Sequence, residues 1–141
     1  MQTSAFSSLS QPWVHALKPG ESEPEVIDAL VKTDFTASLN GARMRTFDHV
    51  MDEYARVFGF PAYFGRNWSA FDECITDLTW LPARSYLTVV VKADEILADD
   101  LLDKPTYLRL VRDAGQTWGR SFALGPAWGG GEVPFNTILM E

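Results

Sequence analysis

A single cysteine, Cys74, occurs in the 141 residues, so no internal disulfide framework is available and a reducing compartment is the simple inference. Histidine is as scarce. His15 and His49 lie in different predicted elements, with no cysteine or carboxylate at ligand spacing, so neither a metal site nor a bound cofactor is implied. Basic residues are few: 12 Lys and Arg face 19 Asp and Glu, a formal charge of −7. That balance argues against nucleic acid and anionic membrane as partners, since phosphate contacts need clustered Lys and Arg. No stretch approaches the ~18 apolar residues of a membrane span. The N-terminal MQTSAFSSLS lacks a basic segment followed by an apolar run, and the expectation is a cytoplasmic protein without a signal peptide.

What is present suits one globular domain, with 46% hydrophobic and 22% charged residues. Residues 1–11 are Ser-rich and read as a mobile tail. Pro12 to Leu17 reads as a short strand. Pro24 opens a short helix with Val26, Ile27, Leu30 and Val31 on its inner face. Residues 35–40 alternate as a strand that ends at Asn40-Gly41. Thr46 caps a helix running to Phe58, with Phe47, Val50, Met51, Tyr54 and Phe58 buried, and Gly59 stops it. Residues 86–92 form a strand covered on both faces. A short helix is expected in 94–103, a longer one from Pro105 to Trp118, a flexible loop over 125–134 and a last strand over 135–140. Strands separated by helices imply right-handed crossovers and a parallel α/β sheet.

The stretch from 60 to 80, FPAYFGRNWSAFDECITDLTW, carries the contrast from which function is read. At 100° per residue, Trp68, Phe71, Cys74, Ile75 and Leu78 share one side of a helix over 67–80. Ser69, Glu73, Thr76 and Trp80 line the other, and Asp72 and Asp77 flank them. No Lys or Arg stands between Asn67 and Trp80. Trp80 falls about 20° from Glu73 on that helix, so an aromatic ring and a carboxylate would share one patch. Acids without a compensating base repel one another, and a basic partner would relieve them.

Enzyme templates fit poorly. Cys74 lies on an apolar side beside acids, where a thiolate is suppressed. Asp72 and Glu73 diverge by about 100° and do not face each other. Glu73 with a distant carboxylate such as Asp113 is the remaining acid–base pairing. Gly129-Gly130-Gly131 lacks the spacing and the following helix of a phosphate loop, and Trp128 beside it offers a contact residue.

The motif FPAYFGRNWSAFDECITDL resembles the signature of the barstar family, intracellular inhibitors of secreted microbial ribonucleases such as barnase. Pro61, Tyr63, Gly65 and Asn67 resemble the family's turn, and Trp68 to Leu78, with Phe71 and Cys74, resembles its binding helix. The resemblance covers roughly residues 34–141. It implies a barstar-like domain over 35–141, with three core parallel strands and helices packed around them. Residues 1–34 are then an N-terminal extension, a tail plus a strand and a short helix, packed on or beside the core and able to add a fourth strand. It further implies a non-enzymatic inhibitor that plugs a basic, guanyl-specific type of ribonuclease active site as a monomer in a 1:1 complex. Glu73 matches the family's usual helix acid, Tyr63 a tyrosine that packs on the enzyme, Thr76 a contact threonine and Asp113 a second acid. The sequence departs from the best-known pattern at Ser69, Asp72 and Leu78, with Trp80 as a replacement aromatic contact. These departures admit an alternative, an immunity module on the same fold for a different basic protein or toxin.

Overall fold

The computed structural model describes residues 5–120 and 132–141. Four strands, β1 (Val14–Leu17), β2 (Phe35–Asn40), β3 (Tyr86–Val91) and β4 (Phe135–Met140), form one sheet in the order β1-β4-β3-β2, every pair parallel. Among the described residues four α-helices connect or flank them: α1 (Glu23–Lys32), α2 (Phe47–Phe58), α3 (Trp68–Asp77) and α4 (Lys104–Trp118). The α/β architecture inferred from the alternating pattern is what forms. Its fourth strand comes from the N-terminal segment, Val14 standing opposite Thr137 and Leu17 opposite Met140.

Handedness decides which helix covers which face. The step from β1 to β2 crosses the whole sheet, whereas β2 to β3 and β3 to β4 return one strand at a time. Right-handed connections running in opposite directions lie on opposite faces. Accordingly α1 packs on one face, where Val26 and Ala29 meet Leu17, Leu87, Val89 and Ile138. On the other face α2, α3 and α4 bring Tyr54, Phe58, Phe71, Tyr107 and Trp118 over Leu39, Tyr86, Val90 and Phe135. Strand β3 is thus buried on both sides from Tyr86 to Val90, as its continuous apolar run implied.

Local signals account for the helix limits. The Thr46 side chain accepts a hydrogen bond from the His49 amide at 3.2 Å, and Gly59, at φ 65°, closes α2. The Phe60 amide then bonds back to the Ala55 carbonyl, which satisfies an end carbonyl in the Schellman manner. In α4 Pro105 occupies the first turn, where its missing N–H costs nothing.

Three expectations need correction. The inner face of α1 is Val26 and Ala29, while Ile27, Leu30 and Val31 are exposed, Val31 at 79%. The small Ala29 lets the helix approach the sheet closely, and the broad apolar run allowed more than one inward face. Residues 94–103 form two 3-10 turns, Ala93–Glu95 and Leu101–Asp103, rather than a helix. Their polar groups are used elsewhere: Arg45 takes Glu95 and Asp99, the Asp100 carboxylate takes the Phe47 amide, and Leu97 N–H and Asp99 N–H donate to Met44 and Arg45 carbonyls. Finally, the segment from residue 5 onward is not a free tail. Ala5–Ser7 is a 3-10 turn whose Phe6 is buried with its ring edge-on to His15 at 4.8 Å. The Gly-rich loop, including Trp128, lies outside the described residues except for its last part, which runs into β4.

Two predictions concern how this N-terminal segment is held. His15 is buried, its Nε2 lies 2.8 Å from Asn136 Oδ1, and burial lowers its pKa below 6.5 against the opposing pull of that bond. The folded state therefore favours neutral imidazole. Its contribution is full above about pH 6.5 and is lost as pH falls through the lowered folded value. Urea unfolding between pH 7.5 and 5.5 should show stability falling with acid, and His15→Leu should flatten that slope whatever its effect on absolute stability. Gly115 marks the contact between α4 and β1: a β-carbon there would collide with Trp13 Cβ and stand 2.8 Å from the Phe135 carbonyl oxygen. Gly→Ala inside a helix normally gains ~1 kcal/mol, but overpacking costs about 1–3 kcal/mol. Because the obstructing atoms are backbone or next to it, Gly115→Ala should be net destabilising, read as a lowered denaturation midpoint.

Candidate functional site

The turn between α2 and α3 is built to hold a rigid helix entry. Pro61 begins it, and the Phe64 amide bonds back to the Pro61 carbonyl at 2.9 Å. Phe60 and Phe64 stack edge to face at 4.9 Å, and Phe60 also meets Phe71 and Trp80. Arg66 sits at φ 55°, an unfavourable left-handed conformation. It is held there by an ion pair to Asp52 at 2.8 Å and a hydrogen bond to the Asp48 carbonyl. Asn67 then caps α3, its Oδ1 accepting from the Ala70 amide at 2.8 Å.

The apolar side of α3 is anchored as the spacing predicted. Phe71, Cys74 and Ile75 are buried, and Phe71 contacts Tyr54 edge to face at 4.8 Å. Trp68 is half-buried between Phe47 and Phe71, and its Nε1 donates to Asp103 at the foot of α4. The helix ends earlier than expected. Leu78 turns left-handed at φ 49° and is fully buried. Burying a leucine contributes about 1.5–3 kcal/mol, which matches or exceeds the ~1–2 kcal/mol cost of that backbone conformation.

This early stop corrects the position of Trp80. It does not continue the Glu73 stripe; its Nε1 donates to the Phe58 carbonyl at 2.8 Å and its ring packs on Phe60. The signal was missed because neither Gly nor Asn marks the left-handed residue.

The acid surface itself is real and more concave than the helix stripe suggests. Tyr63, Gly65, Ala70, Glu73, Cys74 and Asp77 line a depression of about 240 Å³ between the turn and α3. Tyr63 is 73% exposed at its rim. Asp77 joins Glu73 there, a neighbour that the i, i+4 spacing makes visible in retrospect. The Tyr63 hydroxyl is held above its usual pKa by partial loss of hydration and then by the field of Asp77, Cys74 and Glu73. Cys74 is pushed up by burial and by Asp77 and Glu73, so it stays a protonated structural thiol at neutral pH.

The remaining expected contacts divide. Ser69 is exposed one turn before Glu73. Thr76 is half-buried, and its hydroxyl donates back to the Asp72 carbonyl at 2.7 Å. Asp72 and Asp113 come together across α3 and α4: burial first, then Asp113, raises the Asp72 pKa, with Arg109 opposing. Asp113 is paired with Arg112 at 3.2 Å. Asp113 does not line the groove that holds Glu73. Among the described residues no group of three or more His, Cys, Asp or Glu could hold a metal ion, and no helix is long and apolar enough to cross a membrane.

The sequence model of a family described as Barstar (barnase inhibitor) matches residues 35–126. The chain belongs to the barstar family. No curated protein matches the chain as a relative. In barstar-family terms, the matched span begins at β2 and contains the turn, α3 and α4, so β1 and α1 stand in front of it. What α3 offers chemically is a set of carboxylates on a rigid support, able to accept charge-assisted hydrogen bonds from guanidinium, ammonium or imidazolium groups.

The raised Asp72 pKa yields a signed expectation. A carboxylate with a raised folded pKa favours folding when protonated, and that preference is lost as pH rises through the folded value. Asp72→Asn should therefore raise stability slightly at pH 7, by under ~1 kcal/mol for a partly solvated group, and the difference should vanish below about pH 3.8. Parallel urea titrations of parent and variant at both pH values measure it.

Proposed function

We propose that this barstar-family chain inhibits a secreted microbial ribonuclease of the guanyl-specific type by seating α3 in the enzyme's basic active site. The reading rests on one observation above the rest: Glu73 and Asp77 share a concave groove beside exposed Tyr63, on a helix that carries no base. A site built to hold RNA phosphate must present Arg, Lys or His, and the carboxylates satisfy those donors in place of phosphate. Glu73 is the principal acid, with Tyr63 packing beside it and Ser69, Asp72, Thr76 and Asp113 extending the contact over α3 and α4. Trp80 supports the turn from beneath. Pro61, Gly65, Asn67, Trp68, Phe71 and Cys74 hold the surface in shape.

Residues 1–34 are best read as an extension added to a 35–141 inhibitor domain, because the family match begins at residue 35. The chain acts as a monomer in a 1:1 cytoplasmic complex in this reading, and the net charge of −7 makes association faster at low salt. Ser69, where the family pattern has an acid, and Asp77, which adds one, favour a target whose basic groups are displaced along the helix. A different basic toxin is the second reading.

The test is inhibition of a panel of secreted guanyl-specific ribonucleases by parent and Glu73→Ala. Loss of a hydrogen bond to a charged group costs about 1.5–3 kcal/mol, so the variant should inhibit roughly 10- to 150-fold less well. Inhibition by the parent that Glu73→Ala leaves unchanged would overturn the α3 mechanism. Failure of the parent on every enzyme would favour the second reading.

A further inference from the structure

A second, larger groove lies away from α3, along the outer edge of the sheet. It has a volume of about 880 Å³ and runs between β1 and α4, floored by Trp13, Val14, Leu108 and Leu139. Among the described residues β1 pairs with β4 alone, and its other edge has no strand beside it. The register shows which groups face outward. The Thr137 amide donates to the Trp13 carbonyl and the Glu141 amide to the Leu17 carbonyl. In a parallel ladder Trp13, His15 and Leu17 therefore turn their backbone groups to β4, and Val14 and Ala16 turn theirs to the open edge. Both residues line the groove.

The charge of the groove is opposite to that of the protein. Its charged lining residues are Arg109 and Arg112, although the chain carries −7 overall. Arg109 has no hydrogen-bonded or ion-paired partner among the described residues. Arg112 is ion-paired with Asp113 of its own helix at 3.2 Å, and Arg109 acts on Asp72 of α3, but neither carboxylate lines the groove. An exposed edge with an apolar floor is a hazard unless something covers it; Val14–Leu17 holds no proline or lysine, Pro12 and Lys18 standing just outside the strand.

We propose that the β1–α4 groove binds an extended peptide segment of a partner protein, added to β1 as a fifth strand, with its acidic side chains on Arg109 and Arg112 and its apolar side chains on the groove floor. The two outward residues of β1 supply two N–H donors and two carbonyl acceptors, the mode of strand addition in which backbone bonds give affinity and side chains give selectivity. A second copy of this chain is the poorer occupant. Residues 8–18, which would have to pair across the edge, contain no acid and include His15 and Lys18, so they bring nothing to the two arginines.

The experiment is a titration of the isotope-labelled full chain with two synthetic probes, acetyl-(Val-Glu)3-amide and acetyl-(Val-Lys)3-amide, followed by amide chemical shifts. The expected result is saturable shifts centred on Val14, Ala16, Arg109 and Arg112, with the Glu peptide at least fivefold tighter. Arg109→Glu with Arg112→Glu should reverse that preference. Ala16→Pro, which removes an outward N–H at an exposed edge position, should abolish binding by both peptides with the melting temperature retained. Absence of binding, shifts elsewhere or equal affinity for the two peptides would sink the proposal. So would concentration-dependent dimerisation that maps to Val14 and Ala16, because a second copy would then own the edge. None of these outcomes depends on ribonuclease inhibition, so the two proposals fail separately.

Discussion

Phe71 is the joint on which the rest of this structure depends. Its ring meets Tyr54 of α2 at 4.8 Å and faces Tyr107 of α4 at 6.4 Å, and the hydroxyls of Tyr54 and Tyr107 bond to each other at 2.8 Å. Three helices are thereby tied together under one residue of α3. Burial holds both tyrosine hydroxyls well above their usual pKa, so this polar contact stays neutral inside an apolar core. Aromatic pairs of this kind add about 0.5–1.5 kcal/mol each beyond the area they bury. Their larger effect is orientation: with Phe71 fixed, the direction of Glu73 two residues later is fixed too.

The opposite side of α3 shows what that rigidity makes affordable. Glu73, Asp77 and Asp72 are held near one another without a base on their own helix, and the shifts at Tyr63, Cys74 and Asp72 register the crowding. A surface of this kind is less stable alone than a neutral one would be. A partner presenting cations removes that strain. In the proposed inhibitor, stability is thus exchanged for recognition on one helix face, while the aromatic joint beneath prevents the face from relaxing.

The N-terminal segment serves a different end. By adding β1 beside β4 and laying α1 and Phe6 over the second sheet face, it buries Leu87, Val89 and Ile138. The open edge of the sheet then passes from β4 to β1. Close contact between Gly115 of α4 and Trp13 seats the new strand, and the same approach shapes the arginine-lined groove. The acidic and basic surfaces meet along α4: Arg109 and Arg112 line the groove, Arg112 also pairs with Asp113, and Arg109 acts on Asp72 of α3.

Much of this was legible in the chain before folding. Thr46 and Asn67 cap their helices through their own side chains, Gly59 ends α2, and the limits of β2 and β4 follow alternation or apolar runs; these are short-range preferences that depend on a few neighbouring residues. The two-sided character of α3 was equally local, since one face of it is apolar and the other acidic. Tertiary structure decided the rest. The left-handed Leu78 arises from burial, not propensity, and it takes Trp80 off the acid stripe. The inward face of α1 was chosen by the surface it had to meet, and the acids of 94–103 went to Arg45 and Phe47, distant partners that no local pattern announces. The groove of Tyr63, Glu73 and Asp77 required the turn to fold against the helix. Sequence determined which residues were acidic and which were buried on α3. Packing alone determined the concavity they share, because a groove needs two elements and a helical pattern describes only one.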